Sequence, residues 1–141
     1  MNEQIQASIP CQVSGKKINL AAKTVWGDKR IAARIGRETG IIIVETYRRN
    51  HFFFNAKSFR RIISGLFFLL GYRFNVAMSE VELAKRLGTT DVTVRASYRD
   101  WLETFPELFK DIVAKVSENA LLRQFVQYSM KFANKSNTLT Q

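Results

Sequence analysis

Apolar residues recur along most of this chain at intervals of three and four, the period of a helix buried on one face. Ala21, Val25, Ile31, Ala32 and Ile35 predict a first helix over about residues 20–35, with an interruption near Gly27-Asp28 and an end at Gly36. Residues 40–50 contain the run Ile41, Ile42, Ile43, Val44. β-Branched residues suit a strand by propensity, but a helix is favoured because no partner strand is evident elsewhere. Residues 51–55 read as a compact connector whose Phe52, Phe53 and Phe54 are expected to plug the core. From Lys57 or Ser58 to Tyr72 the pattern predicts a third helix, with Ser58 as candidate N-cap. Its Ile62, Ile63, Leu66, Phe67, Leu69 and Leu70 leave little polar face, and such a helix belongs in the middle of a domain.

The segment 79–103 is the most informative. Leu83 and Leu87 are spaced to bury one face of a short helix, and Ala84 is small where two helices must cross. Gly88 then stands where a helix ends in a left-handed residue. Thr90 or Asp91 can cap the next helix by accepting backbone N–H bonds. Val94, Tyr98 and Trp101 recur at helical spacing on its inner side, leaving Thr90, Asp91, Val92, Thr93, Arg95, Ala96 and Arg99 outside. That is the pattern of a helix-turn-helix, whose second helix presents its outer N-terminal residues to the major groove. An Arg there bonds guanine in bidentate fashion and a Val touches a thymine methyl. The same pattern also fits a helical hairpin that binds nothing. Pro106 stops the helix, and apolar positions from Ile112 to Tyr128 predict one more.

The fold class read from this pattern is all-α: five helices, the last two a helix-turn-helix, plus a C-terminal helix. The expected organisation is a flexible N-terminal arm at 1–17, a domain at 18–109, a C-terminal helix at 110–133 and a polar tail at 134–141. The 141 residues suit one domain of ordinary size, and a hydrophobic share of 46% is globular.

Charge changes the picture more than composition does. The net charge is +10, which favours a polyanionic partner. The first 73 residues carry 13 Lys/Arg against 4 acids; the remainder carries 9 against 8. One reading therefore has Arg95 and Arg99 meeting bases while Lys29, Arg30, Arg34, Arg37, Arg48, Arg49, Arg60 and Arg61 follow phosphates, contacts that position a protein without carrying sequence information. A basic surface without a specific partner is the alternative. The lone Cys11 excludes an intramolecular disulfide, and with only His51 beside it the usual Cys/His zinc site is excluded too. No cofactor is implied. The chain lacks a phosphate loop, a metal-ligand cluster and a nucleophile elbow, so the expectation is that it is not an enzyme and takes no small-molecule substrate. His51 beside three Phe residues reads as a core-edge residue, and Glu80 and Glu82 as solvated charges at a helix start. The apolar run 62–70 is too short to span a bilayer and no secretory pattern is evident. A soluble intracellular protein is expected, cytoplasmic or nucleoid-associated in an archaeal or viral host and nuclear in a eukaryotic one.

Asp91-Val-Thr-Val-Arg-Ala-Ser-Tyr-Arg, followed by Phe105-Pro-Glu-Leu-Phe109, resembles the end of the second cyclin-like repeat of transcription factor IIB and its archaeal counterpart, transcription factor B. Residues 41–49 are similar to that repeat's second helix, and Lys57-Ser58 with Ser64-Gly-Leu-Phe-Phe-Leu-Leu to its central third helix. The resemblance covers about residues 20–109. It implies a five-helix cyclin-like domain that binds duplex promoter DNA beside a TATA element, with the TATA-binding protein and RNA polymerase as partners. Val92 and Arg95 match the family's base-contacting pair. The family also has an N-terminal zinc ribbon, which one Cys cannot build, and two repeats where this chain has room for one. Its usual Gly-Arg-Ser-Pro appears here as Ala56-Lys-Ser-Phe59.

The expected site is then a DNA interface. Val92, Arg95, Thr93 and Arg99 contact bases; Thr90, Lys57, Arg60, Arg61, Arg48 and Arg49 contact phosphates. Two other functions fit the same residues: an unrelated dimeric helix-turn-helix repressor reading a palindrome, and a cyclin-fold protein-interaction module whose groove around the central helix holds a partner peptide or the TATA-binding protein.

Overall fold

The computed structural model describes residues 9–116. Among them are five α-helices, two 3-10 segments and no strand. Helix α1 spans Gly15–Trp26, capped by the Ser14 hydroxyl, which accepts from the Lys17 amide. It ends at Gly27, at φ 44°, and Asp28 at once caps α2, accepting from the amides of Arg30 and Ile31. The predicted interruption is thus a complete break between two helices.

Helix α2 runs Lys29–Arg49, straight through the position expected to end it. Gly36 is buried against α1, and a Cβ there would stand 2.5 Å from Asn19 Oδ1. Glycine serves close helix approach at this point, not termination. The β-branched run 41–44 is helical, its neighbour Thr46 buried and returning its hydroxyl to the Ile42 carbonyl at 2.7 Å.

The described part of the expected N-terminal arm is packed. Ile9 rests on the core, Val13 is fully buried, and Gln12 donates to the carbonyls of Phe54 and Lys57 at 2.8 and 3.0 Å. The arm's polar sequence hid these contacts because their partners lie more than 40 positions away. Residues 1–8 lie outside the described residues.

The connector His51–Phe54 is a 3-10 turn. Phe53 and Phe54 are buried against Trp101, but Phe52 is 83% exposed, contrary to expectation. Three consecutive residues of a three-per-turn helix point in three directions, so one Phe must leave the core.

Helix α3, Phe59–Arg73, is capped by Ser58. Every residue from 62 to 71 is buried. Around α3 pack α2, α4 (Glu80–Leu87), α5 (Asp91–Thr104) and the second 3-10 segment, Pro106–Val116, while α1 covers α2 and α4. Trp26 and Phe67 meet at 5.3 Å between ring centroids, and Phe53, Phe105 and Phe109 surround Trp101.

The residues after Pro106 wind as 3-10 helix kinked at Phe109, where an α-helix was expected. A period of three sets Phe109, Ile112 and Lys115 in one row. Phe109 and Ile112 are fully buried, and Lys115 donates to the Arg73 carbonyl at 2.6 Å. The rest of the predicted C-terminal helix and the polar tail lie outside the described residues.

Candidate nucleic-acid interface

Helices α4 and α5 form a compact two-helix unit whose local sequence dictates its shape. Ser79 caps α4 by accepting from the Glu82 amide at 3.1 Å. Leu83, Ala84 and Leu87 turn inward. Gly88 adopts φ 70°, ψ 40°; its amide donates to the Lys85 carbonyl and that of Thr89 to the Ala84 carbonyl, the paired bonds of a Schellman ending. Thr90 then caps α5, its hydroxyl accepting from the Thr93 amide at 3.2 Å. Val94, Ser97, Tyr98, Trp101 and Leu102 hold α5 to the core.

This leaves an outer row at i, i+3 and i+7. Val92 is 63% exposed, and Arg95 and Arg99 are exposed beside it. With Ala96 and Tyr98 these three line one depression of about 220 Å³. Thr93 faces a neighbouring hollow, lined also by Ala56, Lys57, Ser58 and Arg61. The N-termini of α3 and α5 thus open onto the same surface. Arg60 reaches the turn between α4 and α5, its Nε donating to the Leu87 carbonyl at 3.0 Å. Eight of the ten residues read from sequence as DNA contacts are therefore neighbours: Thr90, Val92, Thr93, Arg95, Arg99, Lys57, Arg60 and Arg61.

Arg48 and Arg49 fall elsewhere. Arg48 lines a groove between α1 and α2. Arg49 pairs with Glu107 at 2.6 Å and lies over the Phe105 ring. Of the further cations considered for phosphates, Lys29, Arg30, Arg34 and Arg37 are exposed along α2, with Arg34 over Phe74.

The electrostatics of the α5 face were only half legible. Arg95 Nη1 donates to Asp91 Oδ2 at 2.9 Å, an i,i+4 pair that spacing announces. It also donates to Glu80 Oε2 at 2.7 Å, across the turn, and Tyr98 donates to Glu80 Oε1 at 3.0 Å. Glu80 is therefore not the solvated charge expected: its side chain is only 20% exposed and gathers two residues of α5. The hydrogen bonds from Arg95 to Glu80 and Asp91 raise the guanidinium's pKa further. Burial, with the Glu80 carboxylate, pushes the Tyr98 phenol up, so it remains a donor. Glu82 pairs with Arg86 instead.

Other cations of the surface are also held. Arg61 grips Asp100 Oδ2 through Nε and Nη2 at 3.2 and 2.9 Å. Lys57 donates to the Phe53 carbonyl and lies over that ring at 4.5 Å. Five cations thus share the surface with Glu80, Asp91 and Asp100, so its charge excess is modest.

His51 is exposed and stacks on Tyr47 at 4.3 Å. Among the described residues no group of three or more His, Cys, Asp or Glu could hold a metal ion, and no helix is long and apolar enough to cross a membrane. No protein-family model matches the chain, and no curated protein or solved structure matches it either.

Proposed function

We propose that this protein is a transcription factor that reads duplex promoter DNA with the outer face of α5, in the manner of a single cyclin-like repeat of initiation factor B. The observation that carries the reading is the exposed row Val92, Arg95, Arg99 on the first turns of a helix whose inner side is fixed by Val94, Tyr98 and Trp101. At 14 residues α5 is about 21 Å long, enough to lie along a major groove about 12 Å wide. Val92 offers an apolar surface suited to a thymine methyl and Arg95 a planar donor suited to guanine. Thr90, Lys57, Arg60 and Arg61 border this row and serve as phosphate contacts.

Arg95 must leave Glu80 and Asp91 to reach a base. Exposed ion pairs are worth about 0–1 kcal/mol, whereas a bidentate contact to guanine discriminates by about 1–3 kcal/mol. Glu80 and Asp91 therefore compete with the base for Arg95, and a guanine that engages the guanidinium in bidentate fashion is the base suited to displace them. The helix-turn-helix reading and the sequence resemblance over residues 79–109 support the same assignment, with the TATA-binding protein and RNA polymerase as the partners it implies.

The test is selection from random duplex DNA, with and without TATA-binding protein, over a salt series. The expected result is a short motif enriched beside a TATA element only when that protein is present. A palindrome enriched without it indicates a dimeric repressor. No enrichment in either arm overturns DNA reading.

A further inference from the structure

We infer that the groove between α1 and α2 is a docking site for an acidic amphipathic helix of a partner protein. This inference is independent of the DNA reading, since none of the groove's residues belongs to the α5 surface.

The groove has a volume of about 750 Å³ and an almost wholly apolar lining. Ile18 and Ile43 form its buried floor, and Ile41, 53% exposed, stands in its opening. Gly40 lies in the same lining, and a Cβ placed on it would meet nothing within 4 Å. A glycine inside a long helix costs stability; here its bare backbone lets another helix approach closely.

Charge selects the occupant. Arg37, Ile41, Val44 and Arg48 are successive positions of one stripe of α2, so the two arginines flank the apolar pair, about 16 Å apart along the axis. Neither has an ion-pair partner among the described residues, and Lys16 and Lys17 of α1 are likewise exposed without one. Glu45 is the single acid of the lining, and Arg49 beside it is already engaged by Glu107. The complement is a helix of about three turns with apolar residues at i, i+4 and i+7 and carboxylates at both ends. A second copy of a chain of net charge +10 is electrostatically opposed. Residues 117–141 carry three basic residues against one acid, the wrong sign for this rim.

The test uses two synthetic helical peptides of about 15 residues, alike in apolar spacing, one with Glu and one with Lys at the flanking positions. Binding to the full chain is followed by fluorescence anisotropy. The Glu peptide is expected to bind at least about tenfold more tightly than the Lys peptide. Gly40→Leu, which fills the groove from an open position, is expected to abolish binding with the helical circular dichroism and the DNA selection unchanged. The double change Arg37→Glu, Arg48→Glu is expected to reverse the preference. Equal binding of both peptides, or binding of the Glu peptide unaffected by Gly40→Leu, overturns the proposal. So does self-association abolished by Gly40→Leu, which assigns the groove to a second copy. Peptide binding that appears only after removal of residues 1–8 or 117–141 overturns it in favour of the chain's own segment.

Discussion

Gly65 and Ser97 mark a close approach of α3 and α5. The Gly65 amide donates to Ser97 Oγ at 2.8 Å, and a Cβ on Gly65 would stand 2.3 Å from the Ser97 carbonyl carbon and 2.1 Å from the Tyr98 nitrogen. Backbone, not a flexible side-chain tip, occupies the space. The Ser97 hydroxyl in turn donates to the Ile62 carbonyl at 3.3 Å, so one small residue on each helix brings them together.

Gly65→Ala is therefore expected to destabilise the fold by at least about 1–3 kcal/mol, the usual range for overpacking a tight core. Urea unfolding measures it. A midpoint equal to that of the parent chain would show that α3 and α5 separate without cost.

Gly88→Val places a β-branched side chain at φ 70°. The left-handed region costs an ordinary L-residue roughly 1–2 kcal/mol, and branching adds to it. The melting temperature should fall for Val and much less for Gly88→Asn, because Asn tolerates this region. Equal losses for the two would trace the effect to side-chain volume and not to backbone conformation.

Arg95→Ala is expected to cost about 1–3 kcal/mol on the preferred DNA site and to relax preference at one base pair. Glu80→Gln should act oppositely. It removes a carboxylate that competes for Arg95 while leaving an oxygen to accept from Tyr98, so affinity should rise several-fold with the same preferred motif. Competition binding against matched and single-mismatch duplexes checks both. Uniform loss over all sequences for Arg95→Ala would make it a phosphate contact.

Lys57→Ala and Arg60→Ala should weaken binding evenly across sequences and flatten the log–log salt dependence by about one unit each. Arg48→Ala should leave DNA binding unchanged, because its side chain lines the α1–α2 groove. A shallower salt slope for Arg48→Ala would mean that the DNA path extends over α2.

Asp111 accepts from Arg73 Nε and Nη2 at 2.7 and 2.8 Å, and that hydrogen bonding, reinforced by the guanidinium's charge, holds its carboxyl below the usual carboxylate range. A carboxylate depressed in the folded state contributes stability that is complete above its unfolded pKa of about 3.9 and is lost as pH falls through the lower folded value. Melting temperature should thus drop more steeply below pH 4 in the parent chain than in Asp111→Asn. Parallel curves would show that the Arg73 pair contributes nothing to folding.

What the sequence made legible was local. Gly88 and Thr90 announce the end of α4 and the start of α5 because capping involves residues two to five positions apart, and Val94, Tyr98 and Trp101 fall on the 3.6-residue period. Ser58 and the apolar circumference of α3 revealed the central helix for the same reason. Contacts between distant elements were hidden. Gly36 looks like a helix end until Asn19 of α1 is placed against it. Glu80 looks solvated until α5 folds back and sets Arg95 and Tyr98 around it. Arg48 looks like its neighbours at the α5 surface until α2 turns it towards α1.

The ten consecutive buried residues of α3 bear on how the protein emerges from the ribosome. Their covering comes from both directions along the chain: α2 precedes them, while α4, α5 and the row containing Phe109 and Ile112 follow. Synthesis runs at about 5–20 residues per second, so the greasy segment waits several seconds for its later partners. A nascent chain that has emerged beyond residue 73 but not as far as Phe109 should therefore attract chaperones that bind exposed apolar stretches, and release from them should coincide with the emergence of Phe109.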